Sequence, residues 1–285
     1  MKIAGAPISW GVCEVPGWGF QLPPSRVLAE MQDVGLAATE FGPEGFLPED
    51  PRDVLAQHDL QAIGGFTPLL LHVAGHDPVP EVEKLLATYA ATGSDTLVLS
   101  AISGLDGYDT RPALDDAGWR TLLGNLDRLA GTAAAHGVRA VLHPHVGTMV
   151  ENTDDVQRVL DGSTIALCLD TGHLLIGGTD PVALTRQAPE RIAHTHIKDV
   201  DLGLARLVQD GRRTYTEAVR EGMYRPVGHG DVDFSAIVGD LRDHGYTGWY
   251  VLEQDTILHE APSGEGPLTD VRTSVDALRS ILARA

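Results

Sequence analysis

Short apolar runs rich in β-formers alternate with longer amphipathic runs from one end of this chain to the other. The short runs fall at residues 3–9, 37–41, 63–71, 96–101, 138–143, 165–170, 192–198 and 249–253, with the length and composition of strands. Between them the apolar period changes. Leu122, Leu126, Leu129, Ala130 and Ala133 recur every three or four residues, which gathers them on one helical face. Asp233 stands just before Phe234, Ile237, Val238 and Leu241, where a carboxylate can accept from the free N–H groups of a helix's first turn.

Eight strands alternating with helices in 285 residues predict an α/β protein, a TIM-type (β/α)8 barrel formed as a single domain over residues 1–285. The structural rival is a doubly wound sheet. That fold would place a glycine-rich phosphate loop after its first strand, and Ser9-Trp10-Gly11-Val12-Cys13 is not one. No internal repeat, low-complexity tract or Pro/Gly/Ser linker divides the chain. Residues 201–232 read as an elaborated loop carrying a helix at 212–221, on the face where barrels build their active sites.

Composition narrows the partners. An apolar content of 43% is enough for a large buried core. The net charge of -19, from 40 acidic against 21 basic residues, repels nucleic acid and anionic membranes and suits a neutral polyol. Cys13 and Cys168 are too far apart in sequence for a metal knuckle, and Cys168 lies in an apolar run that assigns it to the core. The N-terminus lacks a long apolar leader, and no stretch approaches the roughly 20 apolar residues of a membrane span, so the reading is cytoplasmic.

The candidate chemistry lies at the strand ends. The fifth strand runs into His143-Pro144-His145, the sixth into Asp170-Thr171-Gly172-His173, and the eighth into Glu253-Gln254-Asp255, while the seventh holds His194-Thr195-His196-Ile197-Lys198. Any one of these is a plausible structural hydrogen-bonder or helix cap. Four consecutive strands doing the same would bury polar groups at cost unless they share a partner, and a divalent cation is the simplest one. Imidazoles and carboxylates without a thiolate suit Mn, Co, Fe, Zn or Mg.

These residues resemble the xylose-isomerase-like (endonuclease-IV-like) barrel superfamily, and within it the inosose dehydratase branch. The motifs that carry the resemblance are 6–11 (APISWG), 39–43 (TEFGP), 143–148 (HPHVGT), 169–173 (LDTGH), 194–199 (HTHIKD), 228–234 (GHGDVDF) and 248–255 (GWYVLEQD), so it spans nearly the whole chain. It implies metal ligands Asp170, His196 and Glu253 on the last three barrel strands, His196 being preferred to His194 because it directly precedes Ile-Lys-Asp. In the fifth strand, histidine stands where the superfamily has glutamate. Counting from Gly137 puts the ligand at His143, with His145 on the same side by the two-residue period and Glu151 as a third choice.

The resemblance further implies one divalent ion, Mn2+ or Co2+ ahead of Mg2+, Fe2+ or Zn2+, and a polyol ketone as substrate. Such an ion polarises the ketone; a base takes the α-proton to give an enediolate, and an acid protonates a departing β-hydroxyl. Isomerisation or epimerisation shares the first half of this sequence. His145 and His173 are the acid–base candidates, the latter matching a substrate-contacting histidine of related epimerases, and Lys198 is an electrostatic helper or a partner of Asp199. Glu40, ending the second strand, is placed to bind hydroxyls or to brace the rim; Trp10 is placed to cover the ring or to pack, and His229 and Asp231 sit in a lid-like turn. Barrels of this kind are commonly dimers or tetramers, so a homo-oligomer is compatible with the resemblance, and no exposed apolar patch is legible in the sequence.

Overall fold

The computed structural model describes residues 2–284. Its strands are β1 (Ile3–Gly5), β2 (Ala38–Thr39), β3 (Gln61–Ala62), β4 (Gly64–Leu69), β5 (Thr96–Ala101), β6 (Arg139–Leu142), β7 (Ala166–Asp170), β8 (Ile192–Ile197), β9 (Asp199–Val200), β10 (Tyr224–Arg225) and β11 (Tyr250–Leu252). The main sheet is parallel and runs β3-β2-β1-β11-β8-β7-β6-β5-β4. Because β3 and β4 are halves of one strand separated by Ile63, the first and last members of that order meet. Ile63 itself donates to Thr39 and accepts from Thr96. The ring therefore closes with eight staves, and the chain is a (β/α)8 TIM barrel.

The break in the third stave has a local cause. Gly64 takes φ +128, and a Cβ there would lie 1.7 Å from the carbonyl oxygen of Thr96. Only glycine fits this backbone and this approach. The first expected strand is also shorter than its apolar run, because Pro7–Trp10 turns into a 3-10 helix.

Helices cover the barrel as the sequence period requires. In Asp116–Ala135 the buried face holds Trp119, Leu122, Leu126, Leu129 and Ala133, and Asp115 caps the helix by accepting from Gly118 N–H. Asp233 likewise accepts from Ala236 N–H to start Phe234–Asp243. None of the described helices is long and apolar enough to cross a membrane. The segment after β8 is richer than expected. It folds as an antiparallel pair, β9 with β10, around the helices Leu202–Gln209 and Tyr215–Arg220, with a small core of its own that includes Ala205, Tyr215, Ala218 and Met223.

The two-residue period decides what fills the bore. Leu97, Leu99, Leu142, Leu167, Leu169 and Leu252 point outward into the main core against the helices. Their neighbours point inward: Val98, Val141 and Cys168 form one cluster, Ala4, Ala38, Ile63 and Val251 another. Cys168 is thus a packing residue. Two steps further along the same inward rows stand Glu40, His143, Asp170 and Glu253, so the bore changes from apolar to ionisable within one layer.

Candidate metal and acid–base centre

His143, Asp170, His196 and Glu253 converge at the C-terminal mouth of the bore, all of them buried. His143 Nε2 lies 3.1 Å from Asp170 Oδ2. His196 Nδ1 lies 3.5 Å from that same oxygen and 3.1 Å from Glu253 Oε2. Yet His196 Nδ1 and His143 Nδ1 are buried without a hydrogen-bond partner among the described residues. An orphaned imidazole nitrogen facing two carboxylates is costly unless a cation joins them. The donor set fits a divalent ion: two carboxylates and two neutral imidazoles balance its charge and supply no thiolate.

The other nitrogen of His196 is held from behind. Its Nε2 is 3.0 Å from Glu40 Oε1, which also receives His194 Nε2 at 2.9 Å. Two groupings could hold a metal, His143–Asp170–His196 and Glu40–His194–His196. They use opposite edges of one ring. In the second, the carboxylate oxygen is already satisfied by two imidazole N–H donors, whereas the first contains the orphaned Nδ1 of His196, and this favours the first. Glu40 instead completes a carboxylate–histidine pair that fixes ring orientation and tautomer. Burial works against its charge, but His196 and His194 hold the Glu40 carboxyl well below its ordinary range.

Lys198, two steps beyond His196, closes the cluster from the cleft side. Its ammonium lies 3.0 Å from Glu253 Oε2, 3.7 Å from Asp170 Oδ2 and 3.1 Å from His173 Nε2, and it donates to Asp255 Oδ1. Burial opposes its charge, but Asp255, Glu253 and Asp170 outweigh that and hold the lysine well above its usual value. The alternative pairing with Asp199 is overturned. Asp199 instead accepts from the backbone N–H groups of Val200, Gly228, Gly230 and Val232.

His145 and His173 stack at 3.6 Å between ring centroids. His145 Nδ1 lies 2.7 Å from the Val146 carbonyl and donates to it, which leaves Nε2 as the basic nitrogen. Burial and the neighbouring His143 and Lys198 keep its pKa well below the usual imidazole value. His173 is lowered in the same way by burial, His145 and Lys198. A cleft of about 1160 Å3 opens over the centre, lined by Glu40, Phe66, Tyr108, His143, His145, Lys198, Glu253 and Asp255 among others. His173 is not among the residues lining this cleft; it meets the two that are, its ring 3.6 Å from that of His145 and its Nε2 3.1 Å from Lys198 Nζ.

Trp10 and Glu151 depart from the roles they were placed for. Trp10 is fully buried and donates to Glu30 Oε2 at 2.7 Å, so it is a packing residue. Glu151 accepts from Gly147 N–H and pairs with Arg111, bracing the loop after β6, away from the ligand cluster. His229 and Asp231 are exposed, and Asp231 anchors the inserted segment through Leu202 N–H. The structure adds Asp255, Tyr108 and Tyr215 to the site. For Asp255 the signal was available, since it follows Glu253 by the same two-residue step; for the tyrosines, brought in by separate loops, there was none.

The family model described as xylose isomerase-like TIM barrel matches residues 28–281. The chain is 31% identical over 272 residues to the inosose dehydratase of Geobacillus kaustophilus (strain HTA426), covering 89% of this chain and 87% of that protein. It is 32% identical to the rhizopine catabolism protein MocC of Rhizobium meliloti, covering 100% of this chain and 90% of that one. Among solved structures, the IOLI protein with a binding zinc atom superposes with a TM-score of 0.71 at 14% identity, covering 100% of this chain and 99% of that one, a likeness of fold.

Proposed function

Since this chain belongs to the xylose isomerase-like TIM barrel family, we propose that it is a divalent-metal-dependent lyase that dehydrates an uncharged keto-cyclitol of the inosose type. The observation that carries this reading is the convergence of His143, Asp170, His196 and Glu253 beside a free imidazole and a buried ammonium. The inosose dehydratases among its relatives supply the substrate class.

Those four side chains would hold the ion, which when bound supplies a Lewis acid for the substrate's carbonyl. The protein's own groups do the rest. His145 presents an unprotonated Nε2 to the cleft, because burial keeps its pKa low, and it takes the proton α to the ketone. The Lys198 ammonium stands over the same carboxylates and stabilises the negative charge that grows on the enolate oxygen. His145, now protonated and backed by His173, then returns a proton to the β-hydroxyl as it leaves as water. Glu40 keeps His196 in register, and Phe66 and Tyr108 flank the His145 ring.

The deciding experiment is turnover of scyllo-inosose by metal-stripped protein, with and without added Mn2+ or Co2+. Loss of one water per substrate, dependent on metal, is the expected result. Tight metal binding with no dehydration would sink the inosose assignment, and a product of unchanged mass would make the protein an epimerase or isomerase.

A further inference from the structure

The segment inserted after β8 contributes a group that the chemistry above leaves unused. Tyr215 heads the helix Tyr215–Arg220, which begins in a capping box: Thr214 accepts from Glu217 N–H and Glu217 accepts from Thr214 N–H. Thr216 N–H also donates to Asp109 Oδ1 at 2.8 Å, which ties this turn to the loop after β5. The Tyr215 ring is 1% exposed and packs 5.8 Å from that of His173. Its hydroxyl donates to Asp255 Oδ2 and lies 3.0 Å from the Tyr224 hydroxyl. The other oxygen of Asp255 accepts from Lys198 Nζ. Tyr224 completes the enclosure, its ring centroid 5.4 Å from that ammonium.

One carboxylate is therefore spanned by a phenol from the insert and an ammonium from the end of β8. Held at both oxygens, Asp255 is fixed in orientation; without the phenol it keeps only the Lys198 bond at Oδ1 and the more distant His173 Nε2, 3.9 Å from Oδ2. Lysine is a point charge on a flexible stem, so its location depends on such anchors. We infer that Tyr215 is a positioning residue, which through Asp255 fixes the Lys198 ammonium beside Glu253 where charge develops on the substrate. This rests on the lyase reading for its kinetic consequence, but not for its structural one. It also gives the inserted segment a part in turnover beyond shaping the cleft.

Tyr215→Phe keeps the ring and removes only the hydroxyl. Tyr246→Phe is the control, because that hydroxyl donates to the Trp249 carbonyl at 2.7 Å at the far end of the barrel. In a crystal structure of Tyr215→Phe, the Asp255 carboxylate is expected to turn and Lys198 to leave it; an unchanged Lys198–Asp255 contact would overturn the inference whatever the substrate proves to be. In kinetics, Tyr215→Phe should lower kcat about tenfold with KM within about twofold, and Tyr224→Phe about two- to threefold. Tyr246→Phe should lower the melting temperature and leave kcat alone. Mn2+ affinity measured by calorimetry should be unchanged in Tyr215→Phe. An equal kcat loss in Tyr246→Phe, or a tenfold fall in Mn2+ affinity in Tyr215→Phe, would reduce Tyr215 to a general support. Should the wild type epimerise a keto-sugar instead, the lyase reading fails and the same kinetic ratios are read on that reaction.

Discussion

The two ends of this barrel handle buried polar groups in opposite ways. At the N-terminal end, polar side chains are spent on the backbone. Arg191, just before β8, donates to the carbonyls of Leu160, Ser163 and Ile165, and Asp127 accepts from Ser163 Oγ and from the N–H and hydroxyl of Thr164. At the C-terminal end, the polar side chains face one another. His143, His173 and His196 each keep a buried nitrogen without a partner among the described residues, and Asp170 and Glu253 both come within 4 Å of the Lys198 ammonium. Satisfied groups at one end mean stability; mutually facing, unsatisfied groups at the other mean a site whose missing partner comes from outside.

Asp170→Asn should break this contrast most sharply. The amide oxygen can still accept from His173 N–H, as Asp170 Oδ1 does at 2.7 Å, so the helix Thr171–Ile176 keeps its cap. The charge is lost from the ligand set, however, and turnover of scyllo-inosose should fall about 1000-fold with Mn2+ present. The melting temperature should stay within a few degrees of wild type. A variant that unfolds rather than loses turnover would mean that the C-terminal end is structural after all.

Glu40→Gln probes the back of the same site. Gln can accept from one imidazole but presents an NH2 toward the other, so His196 loses its fixed tautomer. Mn2+ affinity should drop about 10- to 100-fold, the usual effect of removing such a supporting carboxylate. Unchanged affinity by calorimetry would show that Glu40 does not steer His196, and would reopen the direct role in binding hydroxyls.

What the sequence makes legible follows the same divide. The barrel was legible because strand and helix periods differ, and the meeting of Asp170, His196 and Glu253 because each lies in a motif at or beside the end of an apolar strand. His143 stayed unresolved from His145 and Glu151, since a two-residue period puts both histidines on one side; their separation lies in which ring meets Asp170. Glu40 was visible as a strand-end residue, but its partner His194 is 154 positions away and nothing local names it. The hinge at Gly64 was invisible because one glycine among 32 carries no mark of needing φ +128. Contacts made by docking one loop on another, as with Tyr215 and Asp255, have no signature in linear spacing.

At the opposite end, Arg191→Ala should cost stability and leave chemistry intact. Its guanidinium serves carbonyls at the close of the helix Thr153–Gly162 and the approach to β7, which lose charged donors in the variant. About 2 kcal/mol is expected from chemical denaturation, with kcat within about twofold of wild type. A kcat loss greater than tenfold would couple the two ends and undo the division between them.

Asp127→Asn is the gentlest test and carries a pH signature. Burial pushes against its charge, but the hydrogen bonds from Thr164 and Ser163 and the nearby Arg191 hold the carboxyl below its ordinary value. A carboxyl depressed in the folded state stabilises the protein above its unfolded pKa of about 3.9, and that contribution is lost as pH falls through the lower folded value. The side chain is largely exposed, so its worth is discounted for solvent screening to about 0.5–1 kcal/mol at neutral pH. The stability gap between wild type and Asp127→Asn should therefore be present at pH 7, narrow below about pH 4, and leave kcat unchanged at every pH where both are folded. A gap that widens on acidification would show that this carboxylate is not held in its charged form, and that the N-terminal end too contains groups awaiting a partner.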